Sequence, residues 1–209
     1  MTNQQSAKRL VDPIQTLSDL PAITSEPRYS VRVTTLDRLS PTLLSLTFNR
    51  PDGFGFEAGQ FVWLVLPKLT KVGGVIDRRM YAIASATDAI GVTVLVDLDD
   101  SSYASLLASM TVGAKVDLVG PVGSVYDISP SGAVLIVDGE SIAPMLSNMR
   151  SKVVDELTIA IYNHKKLPGA IAEELNLFAG KHNYDLKYIN NYPKRSDFKY
   201  LTNGEDRPV

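Results

Sequence analysis

The sequence contains no cysteine and only two histidines, His164 and His182. Without cysteine, the chain forms no disulfide and offers no thiolate for nucleophilic catalysis, iron–sulfur clusters or cysteine-ligated zinc. Neither histidine lies in an HExxH motif or in a cluster with carboxylates, so a metalloenzyme or a Ser-His-Asp hydrolase is not expected. We interpret both histidines as surface residues, and we identify no acid–base residue as catalytic.

A strong charge excess and long apolar runs are lacking as well. The 21 Lys and Arg residues against 23 Asp and Glu residues leave a net charge of −2, which indicates no nucleic-acid partner. Apolar runs such as residues 133–137 are far too short for a transmembrane helix, which needs about 20 residues. Residues 1–27 are polar and do not resemble a secretory signal. We therefore expect a cytoplasmic protein, or one inside an organelle if a targeting segment has been removed.

The first half of the chain carries the pattern of short β-strands. Apolar and polar residues alternate at residues 31–34 and 44–48, and residues 61–66 form a continuous apolar run that ends at Pro67. Clusters of Gly, Asp and Ser separate the strands, and one short helix is predicted at residues 103–110. Six strands at this spacing predict an all-β, six-stranded antiparallel barrel that is closed on itself. The other three predicted strands span residues 80–84, 92–96 and 115–119.

The second half alternates strand and helix patterns. This order predicts a shortened α/β doubly wound nucleotide-binding domain. Its predicted strands span residues 133–137, 157–162 and 184–189, and its helices residues 143–154 and 170–179. We thus expect four segments along the chain, namely a polar N-terminal extension (1–28), the barrel (29–130), the α/β domain (131–190) and a C-terminal tail (191–209).

The most informative stretch contains Arg79 and Tyr81, which are two residues apart on one predicted strand. Residues with this spacing point to the same face of a strand, so a guanidinium lies beside an aromatic ring. A flavin dinucleotide needs both groups, because the guanidinium can bind the pyrophosphate in a bidentate manner and the ring can pack against the isoalloxazine. An exposed strand with a salt bridge shows the same two residue types, so this pair alone does not identify a cofactor.

Around this pair, the sequence resembles the ferredoxin–NADP reductase-like flavoproteins. Their motif of Arg, any residue, Tyr and Ser or Thr, followed by small apolar residues and Ser, reads RMYAIAS from Arg79 to Ser85. Three further segments match the family in the same order, FEAGQF at 56–61, GAKVDLVGPVG at 113–123 and GESIAPM at 139–145. One of these motifs alone is a weak signal, but four in order over about residues 28–189 favour FAD binding.

The resemblance implies a bound FAD and assigns its contacts. Arg79 would bind the pyrophosphate, Tyr81 would pack on the flavin ring, and the backbone of residues 82–84 would face the flavin edge. Residues 94–96 would run beside the adenosine, and the helix start at residues 101–105 would present amide N–H groups to the pyrophosphate. The residues implied to bind the cofactor are Arg79, Met80, Tyr81, Ala82, Val94, Val96, Ser102, Ser105, Gly139, Glu140 and Ser141.

Three departures from the family pattern make the use of NAD(P)H doubtful. Ala82 replaces a Ser or Thr whose hydroxyl bonds the flavin near its reactive nitrogen, so we expect slower hydride transfer. Glu140 and Ser141 replace the second and third residues of a Gly-Thr-Gly turn, which adds negative charge and a side chain where the nucleotide approaches. Ser141 is also suited to capping the following helix. Because no strand pattern follows residue 189, we expect the second domain to be shorter than in the family.

These features predict a FAD-binding electron-transfer protein that holds its flavin between the two domains and serves a redox partner protein, a larger complex or a small acceptor. The alternative is a non-catalytic, reductase-like subunit of a larger assembly, with or without FAD. The shortened second domain and the polar tails favour this alternative, because an incomplete sheet exposes an edge. A barrel that binds no cofactor requires the match at Arg79 and Tyr81 to be accidental. Turnover of NAD(P)H distinguishes the enzyme from the subunit.

Overall fold

The computed structural model describes residues 26–66, 78–98, 102–123, 134–137, 142–151, 157–162, 167–182 and 184–189. Most of the predicted N-terminal extension, the whole predicted tail and His164 lie outside these residues. Within the described ranges, no helix is both long enough and apolar enough to cross a membrane.

The first unit is a six-stranded antiparallel sheet formed by β1 (Arg28–Ser40), β2 (Leu43–Asn49), β3 (Phe61–Val65), β4 (Arg78–Ala82), β5 (Gly91–Asp97) and β6 (Lys115–Val122). The strands lie in the order β4-β3-β6-β1-β2-β5. The first part of β1 pairs with β6, and its later part pairs with β2. One long strand therefore connects two parts of the sheet and lets it curl.

The outer strands of this sheet, β4 and β5, meet at one end. Ile83, just after β4, forms a single bridge with Val94, and the Ala84 amide donates to the Thr93 carbonyl at 2.8 Å. Among the described residues, no continuous ladder joins the two strands. The sheet is barrel-like but not closed, which corrects the prediction of a closed barrel. The physical reason is that β4 ends at Ala82, before it can form a ladder along β5.

Alternate residues of the strands fill the interior of the curled sheet. Phe48, Leu64 and Leu118 are fully buried there, as expected of side chains that share one face. Helix α1 (Ser102–Ala108) adds Tyr103 and Leu107 to the same core. These two residues are four apart and so lie on one face of the helix. The helix therefore packs against the inner face of the sheet.

The second unit is a parallel sheet with two helices, formed by β7 (Val134–Val137), α2 (Ile142–Ser151), β8 (Thr158–Tyr162), α3 (Gly169–His182) and β9 (Asp185–Ile189). The strand order is β7-β8-β9, so both connections advance in the same direction. Right-handed connections of this kind place their helices on one face of the sheet, and an ion pair between α2 and α3 agrees with this. The arrangement corresponds to one half of a doubly wound sheet. The reversal of strand order at which such sheets bind nucleotides is not among the described strands.

Helix α2 joins the two units. Its buried residues, which include Ile142 and Leu146, share an apolar cluster with Leu43, Ala84 and Leu95 of the first unit. The same cluster continues into β8 and α3. The two units are therefore held together by a common core and not only by the connecting chain.

Candidate functional site

The predicted site centres on β4, which presents its two arginines to opposite faces. In the antiparallel register, Arg79 lies opposite Leu64 and Tyr81 opposite Val62, and both of these β3 residues belong to the inner core. Arg78 lies on the other face, where its Cζ is 5.0 Å from the centroid of the Trp63 ring. Strand alternation therefore turns only Arg79 toward the inner face and α1.

Arg79 lies against the first turn of α1. Its Cζ is 5.4 Å from the centroid of the Tyr103 ring, within the distance at which a cation is attracted to an aromatic face. The Tyr103 hydroxyl in turn donates a hydrogen bond to the Leu64 carbonyl at 2.6 Å. The Tyr103 side chain is thus fixed through its hydroxyl, and the half-buried Arg79 lies over its ring in the first turn of α1.

Tyr103→Phe is expected to lower the free energy of unfolding by about 1–2 kcal/mol, because it removes a buried hydrogen-bond donor and leaves a carbonyl behind. The ring under Arg79 is kept, so the position of the guanidinium is expected to persist. Urea unfolding of the variant measures the loss. Tyr29→Phe is the matched control, because the half-buried Tyr29 contacts Phe54 edge-on and its hydroxyl has no hydrogen bond within the described part of the chain. Equal losses in the two variants would contradict the anchoring role of Tyr103.

Tyr81 and Met80 have opposite environments. Tyr81 is 6% exposed and belongs to the barrel core, whereas Met80 is 43% exposed. A flavin can therefore reach only a small part of the Tyr81 ring, and the flat stacking implied by the resemblance is restricted to its exposed edge. Stacking of Tyr81 on a flavin stays a prediction, now with this limit on its geometry.

Ala82 follows Tyr81 on the opposite face of β4. Its methyl group is half-buried and packs against the cluster that joins the two units. The family places a hydroxyl at this position, and here an apolar contact between the units occupies it. This packing strengthens the expectation that a flavin here receives no side-chain hydrogen bond from this position.

The structure narrows the predicted adenosine contacts. Val94 and Val96 are both fully buried in the barrel core, because they share the inward face of β5. Their side chains are not available to a nucleotide, so the contact with adenosine stays a prediction that only the backbone of this strand could fulfil.

The remaining predicted residues lie at or beyond the limits of the described chain. Ser102 is the first residue of α1, and Ser105 is exposed on the same helix. Gly139, Glu140 and Ser141 lie outside the described residues, immediately before α2. Of the predicted residues, Arg79 is the one that the structure places against the first turn of α1, through its contact with the Tyr103 ring.

Sequence reasoning missed the polar residues at the end of α2. Ser147, Arg150 and Ser151 all hydrogen-bond to residues of the segment 84–87, directly after β4. The spacing of three and four places these residues on one face of a helix. The available signal was that these polar residues lie on the same side of the helix as its buried residues, which indicates hydrogen-bond partners elsewhere in the fold.

A groove of about 310 Å³ lies between the units, on the outer face of β2 and β5. It is lined on one side by Thr47, Thr93 and Leu95 and on the other by the ion pair of Arg150 and Glu174. Among the described residues, none of those predicted to bind the cofactor lines it. This groove is therefore separate from the site predicted around Arg79.

The described residues contain no group of three or more His, Asp or Glu side chains that could hold a metal ion. His182 is half-buried between the rings of Phe178 and Tyr184, with centroid distances of 6.2 and 5.6 Å. It thus contributes to the packing between α3 and β9, whereas the sequence suggested a surface residue.

No protein-family model matches the sequence, and no curated protein matches it at a significant level. Solved structures do match the fold. A ferredoxin NADP+ reductase from Neisseria gonorrhoeae with bound FAD and NADP superposes with a TM-score of 0.68 at 20% identity, over 85% of this chain and 78% of that chain.

Two other reductase domains show the same likeness. The flavohem-like FAD/NAD binding domain of nitric oxide dioxygenase from Vibrio cholerae O1 biovar El Tor has a TM-score of 0.66 at 16% identity, over 81% of this chain and 77% of that chain. The cytochrome b5 reductase domain of Ulva prolifera nitrate reductase has a TM-score of 0.61 at 16% identity, over 81% and 76%. A barrel-like antiparallel sheet joined to a parallel α/β unit is thus common to all of them, and the chain has the fold of the ferredoxin–NADP reductases.

Proposed function

We propose that this protein binds FAD between its two units and acts in electron transfer. The observation that carries the proposal is the place of Arg79, whose guanidinium is held over the anchored Tyr103 ring at the beginning of α1. A guanidinium is always charged and presents donors in a planar fork that matches a phosphate. The solved reductase from Neisseria gonorrhoeae, which shares the fold, carries FAD.

The described residues fit the two ends of FAD to different degrees. Arg79 supplies a fixed cation for the pyrophosphate, whereas the exposed side chain of Met80 lies on the other face of β4. Near the isoalloxazine, Tyr81 offers only an edge, and Ala82 offers backbone groups. The bound FAD supplies the reversible uptake of electrons, while this chain binds and orients the cofactor.

We further propose that hydride exchange with NAD(P)H is slow or absent. The methyl group of Ala82 packs between the units, so it cannot supply the preorganised polar contact that stabilises charge during transfer. Glu140 and Ser141 oppose close approach of a nucleotide by charge and by size. Electrons then come from a redox partner protein or a larger complex.

The second candidate function is a non-catalytic subunit of a larger redox assembly. The observation that favours it is the burial of the Tyr81 ring within the barrel core, which leaves little aromatic surface for a flavin. In this case the reductase fold serves to hold the second unit and to present it to a partner.

The test is the visible absorption spectrum of the purified protein after incubation with excess FAD and gel filtration. A retained flavin spectrum that stays oxidised when NADPH or NADH is added without air is the expected result. Bleaching by either nucleotide would show a working reductase and contradict the proposed slow transfer. Absence of retained flavin would overturn the FAD proposal and support the structural subunit.

A further inference from the structure

We propose that Ser147, Arg150 and Ser151 of α2 act as a positioning clamp that sets the second unit against the segment 84–87, directly after β4. Residues of this kind do not touch a cofactor themselves. They act on the strand that carries Arg79 and Tyr81, and the functional part of the inference rests on the proposed FAD binding.

Three hydrogen bonds from the clamp reach consecutive parts of this segment. Ser147 Oγ is fully buried and donates to the Ser85 carbonyl at 2.8 Å. Arg150 Nη1 donates to the Ala84 carbonyl at 2.7 Å. Ser151 Oγ accepts a hydrogen bond from the Thr87 amide at 2.9 Å. Since each bond joins residues more than 60 positions apart in sequence, they form only when the two units are correctly docked.

Arg150 is itself fixed in orientation by α3. Its Nε and Nη2 donate to the two carboxylate oxygens of Glu174 at 2.7 and 2.6 Å. The side chains are both 28% exposed, so this bidentate pair is partly shielded from water. The planar guanidinium uses Nε and Nη2 to bind Glu174 and donates from Nη1 to the Ala84 carbonyl. A lysine ammonium could not make all of these contacts in one fixed geometry.

The segment is held from the barrel side as well. Arg50 donates to the Thr87 carbonyl at 2.6 Å and to the Ala89 carbonyl at 3.2 Å. The Ser85 hydroxyl also accepts a hydrogen bond from the Thr93 amide at 3.2 Å. Thr87 is thus bound through its carbonyl to the first unit and through its amide to the second.

The clamp lies in the second half of α2, and this position determines which part of the predicted site it affects. The helix begins at Ile142, directly after the predicted nucleotide turn at residues 139–141, and ends at Ser151. A helix of this length spans about 15 Å. The clamp at its far end therefore holds α2 against the segment that follows Arg79 and Tyr81, and we expect it to set how β4 presents these two residues to FAD.

The test compares the double variant R150Q/E174Q with the unmodified full-length chain. This variant removes the ion pair without leaving an unpaired charge, and it leaves Ser151 in place. The first measurement, made without FAD, is hydrogen exchange of the Thr87 amide. This amide donates to Ser151 and not to Arg150. We expect at least tenfold faster exchange, because loss of one bond of the clamp loosens the others.

The matched control is R28Q/D117N. It removes another arginine–carboxylate contact, in which two Arg28 nitrogens donate to Asp117 Oδ2 at 2.6 and 2.9 Å, but this pair joins β1 to β6 within the first unit. Exchange at Thr87 is expected to stay unchanged in the control. Unchanged exchange at Thr87 in R150Q/E174Q as well would overturn the clamp.

The second measurement is visible circular dichroism of the FAD-loaded protein together with its dissociation constant for FAD. In R150Q/E174Q we expect an altered flavin signal and about fivefold weaker binding, while Arg150→Lys with Glu174 retained restores neither fully. Fast exchange with an unchanged flavin signal and affinity would overturn the positioning role. If the unmodified chain binds no FAD, the proposed function and the positioning role both fail, while the exchange at Thr87 still decides whether the clamp exists.

Discussion

Arg79→Ala is expected to raise the dissociation constant for FAD by about 10- to 150-fold, which corresponds to the loss of about 1.5–3 kcal/mol from one charge-assisted contact. The guanidinium is already oriented by the Tyr103 ring at 5.4 Å, so little conformational entropy is lost when it binds a phosphate. Fluorescence titration of the flavin-free protein with FAD measures the change.

The control for this prediction is the neighbouring residue. Arg78→Ala removes the same charge from the same strand, and Arg78 also lies over an aromatic ring, with its Cζ 5.0 Å from the centroid of Trp63. Because Arg78 is on the opposite face of β4, its removal is expected to change FAD affinity less than twofold. Equal weakening in both variants would indicate general electrostatic attraction and contradict the placement of the pyrophosphate at Arg79.

Gly120→Ala is expected to lower the free energy of unfolding by about 2–4 kcal/mol, because backbone strain and steric overlap both contribute. Gly120 has a φ of +135°, which side-chain-bearing residues rarely adopt, and an added Cβ would lie 3.1 Å from the Val122 nitrogen and 3.3 Å from the Phe61 carbonyl oxygen. Neither neighbour can move easily, since both are backbone atoms, one of β6 itself and one of the paired strand β3. Urea unfolding followed by tryptophan fluorescence of Trp63 measures the loss.

Two other glycines serve as controls that separate the contribution of backbone strain from that of steric overlap. Gly53 has a φ of +76° but an added Cβ would meet nothing within 4 Å, and Gly55 has neither a positive φ nor a close neighbour. We expect Gly55→Ala to be nearly neutral and Gly53→Ala to have an intermediate effect of about 1 kcal/mol. A loss at Gly55 as large as that at Gly120 would show that the positive φ and the close contacts at Gly120 are not the cause.

Much of the fold could be predicted from local pattern. Period-two alternation at residues 31–34 and 44–48 predicted strands that lie within β1 and β2, and the predicted helix at 143–154 corresponds to α2 at Ile142–Ser151. The predicted strand at 80–84 lies two residues too far along the chain, because β4 spans Arg78–Ala82. Ile83 and Ala84 are as apolar as a strand requires, but they lie beyond the end of β4, where they bond to β5 and α2. Those partners are distant in sequence, so the local pattern could not reveal the end of the strand.

The candidate site was likewise predicted in part from local sequence and in part revealed only by the structure. The spacing of Arg79 and Tyr81 predicted that they share a face, and their register with Leu64 and Val62 agrees. The spacing did not predict that the face is the inner one, where Tyr81 is 6% exposed and Arg79 lies over Tyr103. Exposure depends on what packs against a strand, and here that is helix α1, more than 20 residues further along the chain.

The sequence by itself determined the order of strands and helices, which side chains of a strand share a face and the motifs that resemble a flavoprotein, because these follow from residues close together in the chain. Only the tertiary structure decided that the barrel stays open between β4 and β5, that the side chains of Val94 and Val96 are buried in the barrel core, and that α2 contacts the segment after β4. These features arise from contacts between residues such as Ser85 and Ser147, 62 positions apart. Such contacts form when the chain packs its apolar faces together, and no local pattern contains them.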